Sequence, residues 1–155
     1  MIQNGSNVDR LSFLNYDWPT EGNLFNSFEP ALITAVRHGS VRTCQILLYY
    51  KAKLNKQDSF SMSALHWAAS LNLAEIVELL LNQKDINVNI LDLKNQTPLE
   101  NAIMNNNIKI VKIFTEKVSL QYKFRDYLMT AIQNSNTDIF KFFFVLLIWI
   151  NCHLN

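Results

Sequence analysis

Apolar residues recur at helical spacing in four successive stretches of the chain. Each stretch opens on Leu-x-x-Ala, beginning at Leu32, Leu65, Leu99 and Leu128, so the steps are 33, 34 and 29 residues. A second apolar stripe follows each opening: 44–48, 76–81, 110–114 and 139–144. Because one such helix pair cannot bury its own apolar face, the pairs must stack and share a core. The pattern predicts an all-α array of four helix pairs.

The same register predicts where the helices and loops lie. We expect first helices over residues 31–38, 64–71, 98–105 and 127–134, and hairpin-like loops near Asn55–Met62 and Asn89–Gln96. Thr97 is a good helix cap, and Pro98 suits a first helical turn, where its missing N–H would have no partner. The small residues at Ala68 and Ala69 allow two antiparallel helices to approach closely.

Two segments carry a family signature. Residues 63–69 read Ser-Ala-Leu-His-Trp-Ala-Ala and residues 97–99 read Thr-Pro-Leu, which resembles the Thr-Pro-Leu-His-x-Ala motif of the ankyrin-repeat family. Residues 52–55 and 87–89 resemble the Ala-Asp-Val-Asn loop of that family. The resemblance covers residues 28–144 and implies a solenoid of helix-turn-helix units with short hairpin loops. It also implies that His66 hydrogen-bonds near the base of a hairpin and stiffens it.

Departures from the family pattern carry their own predictions. Positions that are usually glycine hold Lys51, Asn72, Lys84, Asn106 and Ser135. Asparagine tolerates a left-handed backbone, whereas the two lysines predict strained or altered approaches to the hairpins. One residue is inserted around 84–87, which predicts a bulged loop. Residues 116–125 lack a hairpin element, which predicts a direct turn between the third and fourth units.

The expected division of the chain follows from these boundaries. The units cover 28–57, 58–91, 92–124 and 125–144, between an N-terminal extension at 1–27 and an apolar tail at 145–155. The extension is either a partial cap on the first unit or a linear binding segment. The tail either folds back over the fourth unit or belongs to a longer, truncated array. Its apolar run, Phe142 to Ile150, is about half the roughly 20 residues of a membrane helix, so we expect no membrane span.

Composition narrows the function classes. A net charge of +1 leaves no broad basic footprint for nucleic acid, and 3 glycines leave little room for phosphate-binding loops. The 2 cysteines cannot build a disulfide framework. No catalytic or metal-binding motif is readable, so we expect no enzyme activity, no cofactor, no metal and no small-molecule substrate. A free thiol at Cys44 favours the cytoplasm, with the nucleus possible.

The resemblance therefore implies an interaction module that binds a protein partner on a concave face. Two alternatives stay open: a regulatory fragment of a larger enzyme, channel or degradation adaptor, and a pathogen or viral effector. The contact positions implied by the family register lie at hairpin tips and at the ends of first helices. They are Arg37, His38, Ser59, Phe60, Met62, Ser70, Leu71, Leu93, Lys94, Gln96, Met104, Asn105, Gln133 and Asn134. Phe60, Met62, Leu71 and Met104 are the candidate anchors, because a solvated tip has no folding need for large apolar groups. Packing of Phe60 and Met62 against the neighbouring hairpin is the alternative.

Overall fold

A computed structural model describes residues 30–118 and 124–153, and for residues 150–153 it describes the backbone alone. These ranges contain eight helices and one isolated antiparallel bridge, between Gln57 and Ser63. The helices pair in sequence order into four units. They are α1 (Ala31–Arg37), α2 (Val41–Tyr49), α3 (Ala64–Ser70), α4 (Ala74–Leu81), α5 (Pro98–Met104), α6 (Ile108–Lys117), α7 (Phe124–Gln133) and α8 (Thr137–His153). The all-helical array expected from the sequence is confirmed.

The first helices of the middle units begin at reciprocal caps. The Ser63 hydroxyl accepts from the His66 N–H while the His66 ring accepts from the Ser63 N–H. One unit later, Thr97 caps α5 in the same way, with the Glu100 carboxylate accepting from the Thr97 N–H at 2.6 Å. Such boxes satisfy donors that a helix start leaves without partners. They fix the angle at which each hairpin enters its helix.

Left-handed residues end the first helix of every unit. Gly39, Asn72, Asn106 and Ser135 have φ between 56° and 66°. In each turn the next residue donates its N–H back to the alanine of the Leu-x-x-Ala motif, as Asn107 does to Ala102 at 2.9 Å. This is the Schellman closure, which satisfies the last carbonyls of a helix. The expected glycine-type positions at Asn72, Asn106 and Ser135 are therefore confirmed.

The two lysines at family glycine positions behave differently. Lys51 has φ of 62° and closes α2, as predicted. A strained or altered approach was expected at Lys84; its φ is not positive, so the approach is altered and not strained. The chain leaves α4 through Asn82, which stays right-handed, and Ile86 donates to the Gln83 carbonyl at 3.3 Å. The extra residue in this loop lets the chain turn without a left-handed position.

The four units share one core. Buried alanines at Ala35, Ala68, Ala102 and Ala131 recur where the two helices of each unit meet. Larger side chains such as Leu80, Phe114 and Phe143 fill the space beneath the outer helices, and all three are buried. These residues form a single cluster that runs through the whole described array.

Asparagine side chains link successive units. The Asn107 amide donates to the carbonyls of Ala69 and Ser70, at 2.8 and 3.0 Å, which joins the third unit to the second. The Asn136 amide donates in the same way to the Ile103 carbonyl, which joins the fourth unit to the third. Both asparagines stand just before an outer helix. They hold the helix ends in register.

The C-terminal helix corrects one expectation. The boundary at 144/145 between the array and an apolar tail falls inside α8, which is continuous from Thr137 to His153. No glycine or proline interrupts this stretch, so nothing in it stops a helix. None of the described helices is both long and apolar enough to cross a bilayer. The N-terminal extension at 1–27 lies outside the described residues. The direct turn expected between the third and fourth units lies partly outside them.

Candidate partner-binding surface

An aspartate organises the hairpin of the second unit. The Asp58 Oδ1 atom accepts from the N–H groups of Phe60 and Met62, at 2.8 and 2.9 Å. Its Oδ2 atom accepts from the indole N–H of Trp67 at 2.8 Å, so one carboxylate joins the loop to α3. Ser61 at the tip has φ of 55°. The Asp58 N–H also donates to the Met62 carbonyl, and the Ser61 N–H donates to the Asp58 carbonyl, both at 3.0 Å, so hydrogen bonds brace the loop from both ends.

The third unit repeats the arrangement 34 residues later. The Asp92 Oδ1 atom accepts from the N–H groups of Lys94 and Gln96, and its Oδ2 atom accepts from the Asn101 amide at 3.2 Å. Asn95 has φ of 59° at the tip. Sequence reasoning did not single out Asp58 or Asp92. The signal that could have found them is their common spacing of five residues before the helix caps Ser63 and Thr97.

His66 joins the second unit to the third. Its Nε2 atom donates to the Gln96 carbonyl at 3.0 Å, while Nδ1 accepts from the Ser63 N–H at 3.1 Å. The expected role at the base of a hairpin is confirmed. Burial lowers the pKa of His66, against an opposing contribution from the hydrogen bond to Gln96. The ring is therefore neutral, with one nitrogen donating and the other accepting.

The two hairpin tips contact each other. The Leu93 N–H donates to the Phe60 carbonyl at 3.2 Å, and the Gln57 amide donates to the Leu91 carbonyl at 2.8 Å. Despite this pairing, the side chains of Phe60 and Leu93 are 60% and 67% exposed. Both backbones are thus fixed while both apolar side chains stay open to solvent.

The ends of the first helices add a second row of exposed side chains. The Arg37 guanidinium lies 4.8 Å from the Trp67 ring centroid, which links the first unit to the second by a cation–π contact. Leu71, which caps the C-terminus of α3, and Met104, the last residue of α5, are both exposed. His38 turns its ring back onto the Thr34 carbonyl at 2.8 Å.

Not every contact position expected from the sequence is open. Met62 was expected as an exposed anchor and is half-buried, because its backbone is drawn into the Asp58 loop. Gln96 and Ser70 are also half-buried, and their carbonyls accept from His66 and Asn107. The exposed members of the expected set are Arg37, His38, Ser59, Phe60, Leu71, Leu93, Lys94, Met104, Asn105, Gln133 and Asn134.

The described residues hold little reactive chemistry. Burial raises the pKa of the Cys44 thiol to about 11, so this cysteine is neutral and inaccessible. Among the side chains that the structure describes, those of residues 30–118 and 124–149, no three acidic, histidine or cysteine groups converge to hold a metal ion. The main features of the described surface are two hairpins held by hydrogen bonds and the exposed ends of the first helices.

Stacked helix pairs joined by paired hairpins define a helical repeat protein. A family model for three copies of the ankyrin repeat matches residues 2–92 and again 32–126, so the chain belongs to the ankyrin-repeat family. Members of this family generally act as protein–protein interaction modules and are typically not catalytic. The first match begins before α1, at residue 2.

Two curated relatives resemble part of the chain. Rabankyrin-5 of Homo sapiens is 30% identical over 109 residues, and Rabankyrin-5 of Mus musculus is 29% identical over 109 residues. In both cases the match covers 67% of this chain and 9% of the relative. The chain therefore spans a small part of the length of these proteins.

Proposed function

We propose that this protein binds a protein partner on the concave side of its array, with an apolar strip as the anchor. The strip consists of Phe60 and Leu93 at the hairpin tips and of Leu71 and Met104 at the helix ends. The exposure of Phe60 and Leu93 on braced loops is the observation that carries the proposal. Exposed apolar groups that cluster typically mark an interface.

The rigidity of the hairpins supports this assignment. Binding costs free energy when side chains and loops must be ordered, roughly 0.5–1.5 kcal/mol for each immobilised side chain. Asp58 and Asp92 already fix both loops through their backbone N–H groups. The loop backbone is therefore already ordered before binding, and only the exposed side chains remain to be ordered by the partner.

Polar groups surround the strip. Lys94 lies on the same hairpin as Leu93, and His38 and Asn105 lie at the ends of first helices; all three are exposed. A polar rim around an apolar centre is the usual composition of a protein interface. We expect the partner to present apolar side chains to the strip and acidic or carbonyl oxygen atoms to its borders.

The decisive experiment is affinity capture with paired variants. Residues 1–155 are immobilised and partners recovered from a lysate of the source cells are identified by mass spectrometry. The double change Phe60→Ser with Leu93→Ser should abolish recovery of the partner, because it removes both tips of the strip. Tyr49→Ser is the matched control, since Tyr49 is 79% exposed on the outer helix α2 and should leave recovery unchanged.

Melting temperatures separate binding from folding. The double variant should melt within a few degrees of the parent, because both side chains are largely solvated. If capture survives the double change, or fails equally with Tyr49→Ser, the strip is not the binding surface. Leu93 is preferred to Met62 as the second position, because Met62 is half-buried and its loss would also affect folding.

A second candidate is a regulatory repeat segment of a longer protein. The observation that favours it is that the matched part of Rabankyrin-5 is 9% of that protein. Transcript sequencing across both ends of the reading frame tests it. Coding sequence that continues in frame would favour the segment, and stop codons at both ends would favour the free module.

We propose the cytoplasm as the compartment, with the nucleus as the alternative. The buried, neutral thiol of Cys44 supports a reducing environment. Imaging of a fluorescent fusion in the source cells tests this placement, and a signal confined to the secretory pathway would contradict it.

A further inference from the structure

A cavity of about 690 Å³ lies between the loops that follow α2 and α4. Four lysines line it: Lys51, Lys53 and Lys56 come from the first loop, and Lys84 comes from the second. We call these four residues the lysine cluster. Among the described residues that line the cavity, Asp85 is the one acidic group, so four positive charges and one negative charge leave a net charge of +3. The whole chain carries +1, so positive charge is concentrated at this cavity.

The lysine cluster has no partner within the described part of the chain. All four residues are exposed, and none of their ammonium groups makes a hydrogen bond or an ion pair with another described residue. Asp85 is exposed as well and forms no ion pair there. Charges of one sign that line a concave surface repel each other and raise the local concentration of ions of the opposite sign. The cavity therefore favours an anion.

Two members of the lysine cluster occupy positions where the repeat pattern favours glycine. Lys51 has φ of 62°, a left-handed conformation that destabilises any residue with a Cβ. The other described residues with positive φ are glycine, asparagine and serine, so Lys51 is the one with a charged side chain. Non-glycine residues in this conformation tend to occur at ligand-binding sites. Lys84 follows α4 and lines the same cavity, so both departures from glycine add a lysine to it.

The helix ends account for only part of this charge. A cation near the last turn of a helix interacts favourably with the carbonyl groups there, and the effect falls off beyond that turn. Lys51 lies two residues after the end of α2 at Tyr49, whereas Lys53 and Lys56 lie four and seven residues after it. Stabilisation of the helix end therefore does not explain Lys53 and Lys56.

Hydrogen bonds fix the two walls of the cavity. The Asn55 amide donates to the Asp85 carbonyl at 2.8 Å, and its Oδ1 atom accepts from the Asn87 N–H at 2.9 Å. Within the first loop, the Ala52 N–H donates to the Leu47 carbonyl at 2.9 Å. The backbone on both sides is thus held in place, while the four ammonium groups stay available to a ligand.

The dimensions of the cavity favour a compact ligand over an acidic peptide. A volume of about 690 Å³ is roughly 9 Å across, whereas three carboxylates on one face of an extended peptide span about 13 Å, at 3.3 Å per residue. A phosphate monoester carries about −1.5 to −2 near neutral pH, so two neighbouring groups balance the charge of the cavity. Lysine binds phosphate as a point charge, without the planar fork that arginine offers to a carboxylate.

We propose that the lysine cluster binds a ligand that carries two neighbouring phosphate groups. Such a ligand is either a soluble compound or the headgroup of a membrane lipid, since both present the same phosphate chemistry. Lys51 and Lys84 reach it from the two walls of the cavity, and Lys53 and Lys56 complete the charge around it. The site is separate from the apolar strip, because none of the strip residues lines the cavity.

The first test is calorimetric titration of residues 1–155 with inorganic pyrophosphate at roughly 0.15 M salt, where weak surface attraction is screened. We expect one pyrophosphate per chain, with a dissociation constant on the order of 10–100 µM. The double change Lys51→Gln with Lys84→Gln should raise that constant about tenfold, because each solvated charge pair contributes a factor of up to about five. A parent chain that shows no saturable binding would overturn the proposal.

The matched control is Lys109→Gln with Lys141→Gln. It removes the same charge from exposed residues near the starts of α6 and α8, whereas the cavity lies beyond the ends of α2 and α4. It should leave the dissociation constant for pyrophosphate unchanged. Equal weakening by the two double variants would mean that pyrophosphate responds to net charge and not to the lysine cluster.

Lys51→Gly separates binding from folding. Glycine adopts the left-handed conformation without a steric penalty, so the melting temperature should rise although one ammonium group is lost. Pyrophosphate binding should nevertheless weaken. A Lys51→Gly variant that binds pyrophosphate as tightly as the parent would remove Lys51 from the site.

Further probes identify the class of ligand. Inorganic phosphate, with a single group, should bind more weakly than pyrophosphate, and a polyglutamate peptide should also bind more weakly. Equal binding of either one would overturn the assignment to two neighbouring phosphate groups. Phosphatidylcholine vesicles that contain a bisphosphorylated inositol lipid are compared with vesicles of equal charge that contain phosphatidylserine. Cosedimentation with the first alone, lost in the Lys51 and Lys84 double variant, would support a lipid headgroup, and pyrophosphate binding without cosedimentation would support a soluble ligand.

Discussion

At the scale of single residues, protonation of His66 would break a hydrogen bond and destabilise the fold. One ring nitrogen donates to the Gln96 carbonyl and the other accepts from the Ser63 N–H. A second proton on the ring would remove that acceptor and place a charge in a buried site. Burial accordingly lowers the pKa of His66 below its ordinary 6.5.

The lowered pKa predicts a loss of stability in mild acid. The unfolded chain binds the proton at about pH 6.5 and the folded chain only below it, so the contribution of His66 is complete above pH 6.5. It declines as the pH falls toward the pKa of the folded state, by up to about 1.4 kcal/mol per pH unit. Urea titrations at pH 7.5 and 5.5 should show this decline in the parent and in His38→Gln, but much less of it in His66→Gln. An equal decline in all three proteins would assign the effect to other groups.

Single residues were also where the sequence was hardest to interpret. His66 could be placed because its position in the signature is specific. Asp58 and Asp92 were missed although they share a spacing of five residues before the helix caps, because an aspartate in a polar loop is common and its three acceptor contacts form only in the folded loop. Met62 is half-buried because the Asp58 loop draws its backbone inward, and apolar character alone does not distinguish that position from an open one.

At the scale of helices, the Leu-x-x-Ala register placed every first helix to within a few residues. The largest shift is at α7, which begins at Phe124 where 127 was expected. The outer helix α8 was cut short at residue 144, because an apolar run that covers all sides of a helix has no period from which to judge its end. At Lys84 the register left both a strained and an altered turn open, and the residue inserted in this loop gives the altered one.

The turn between the two helices of each unit places one residue at a positive φ. Ser135 sits at φ of 56° where Gly39 serves the first unit at 66°. A residue with a Cβ destabilises the folded state by roughly 1–2 kcal/mol in this left-handed conformation. Glycine avoids that penalty but loses more conformational entropy on folding, which offsets part of the gain. Ser135→Gly should therefore raise the free energy of unfolding by about 1 kcal/mol. Asn72→Gly should raise it by less, since asparagine tolerates this conformation.

The reciprocal change is Gly39→Ala. A methyl group there would lie 3.8 Å from the Leu73 Cδ2 atom, which is ordinary contact, so any loss comes from the backbone alone. We expect a loss of about 1 kcal/mol in urea titration. A gain in Gly39→Ala, or a loss in Ser135→Gly, would contradict the strain assignment.

At the scale of the whole molecule, the four units share one continuous core, so a destabilising change in one unit should lower the stability of the whole array. Leu80 is fully buried on α4 and belongs to the cluster that runs through the four units. Leu80→Ala should lower the free energy of unfolding by about 2–5 kcal/mol through lost burial and a residual cavity. Because each unit needs its neighbours, the loss should shift the whole helical transition and leave the urea dependence unchanged.

Leu71→Ala is the comparison for that experiment, since Leu71 has similar chemistry but is 44% exposed at the end of α3. Its loss should stay below about 1 kcal/mol, because a solvated side chain leaves no cavity. Both variants are compared at one protein concentration, since any self-association would add concentration-dependent stability. A loss below about 1 kcal/mol for Leu80→Ala would place it outside the core. A transition that splits in two would mean that the units on either side of α4 unfold independently, and the shared core would not act as one.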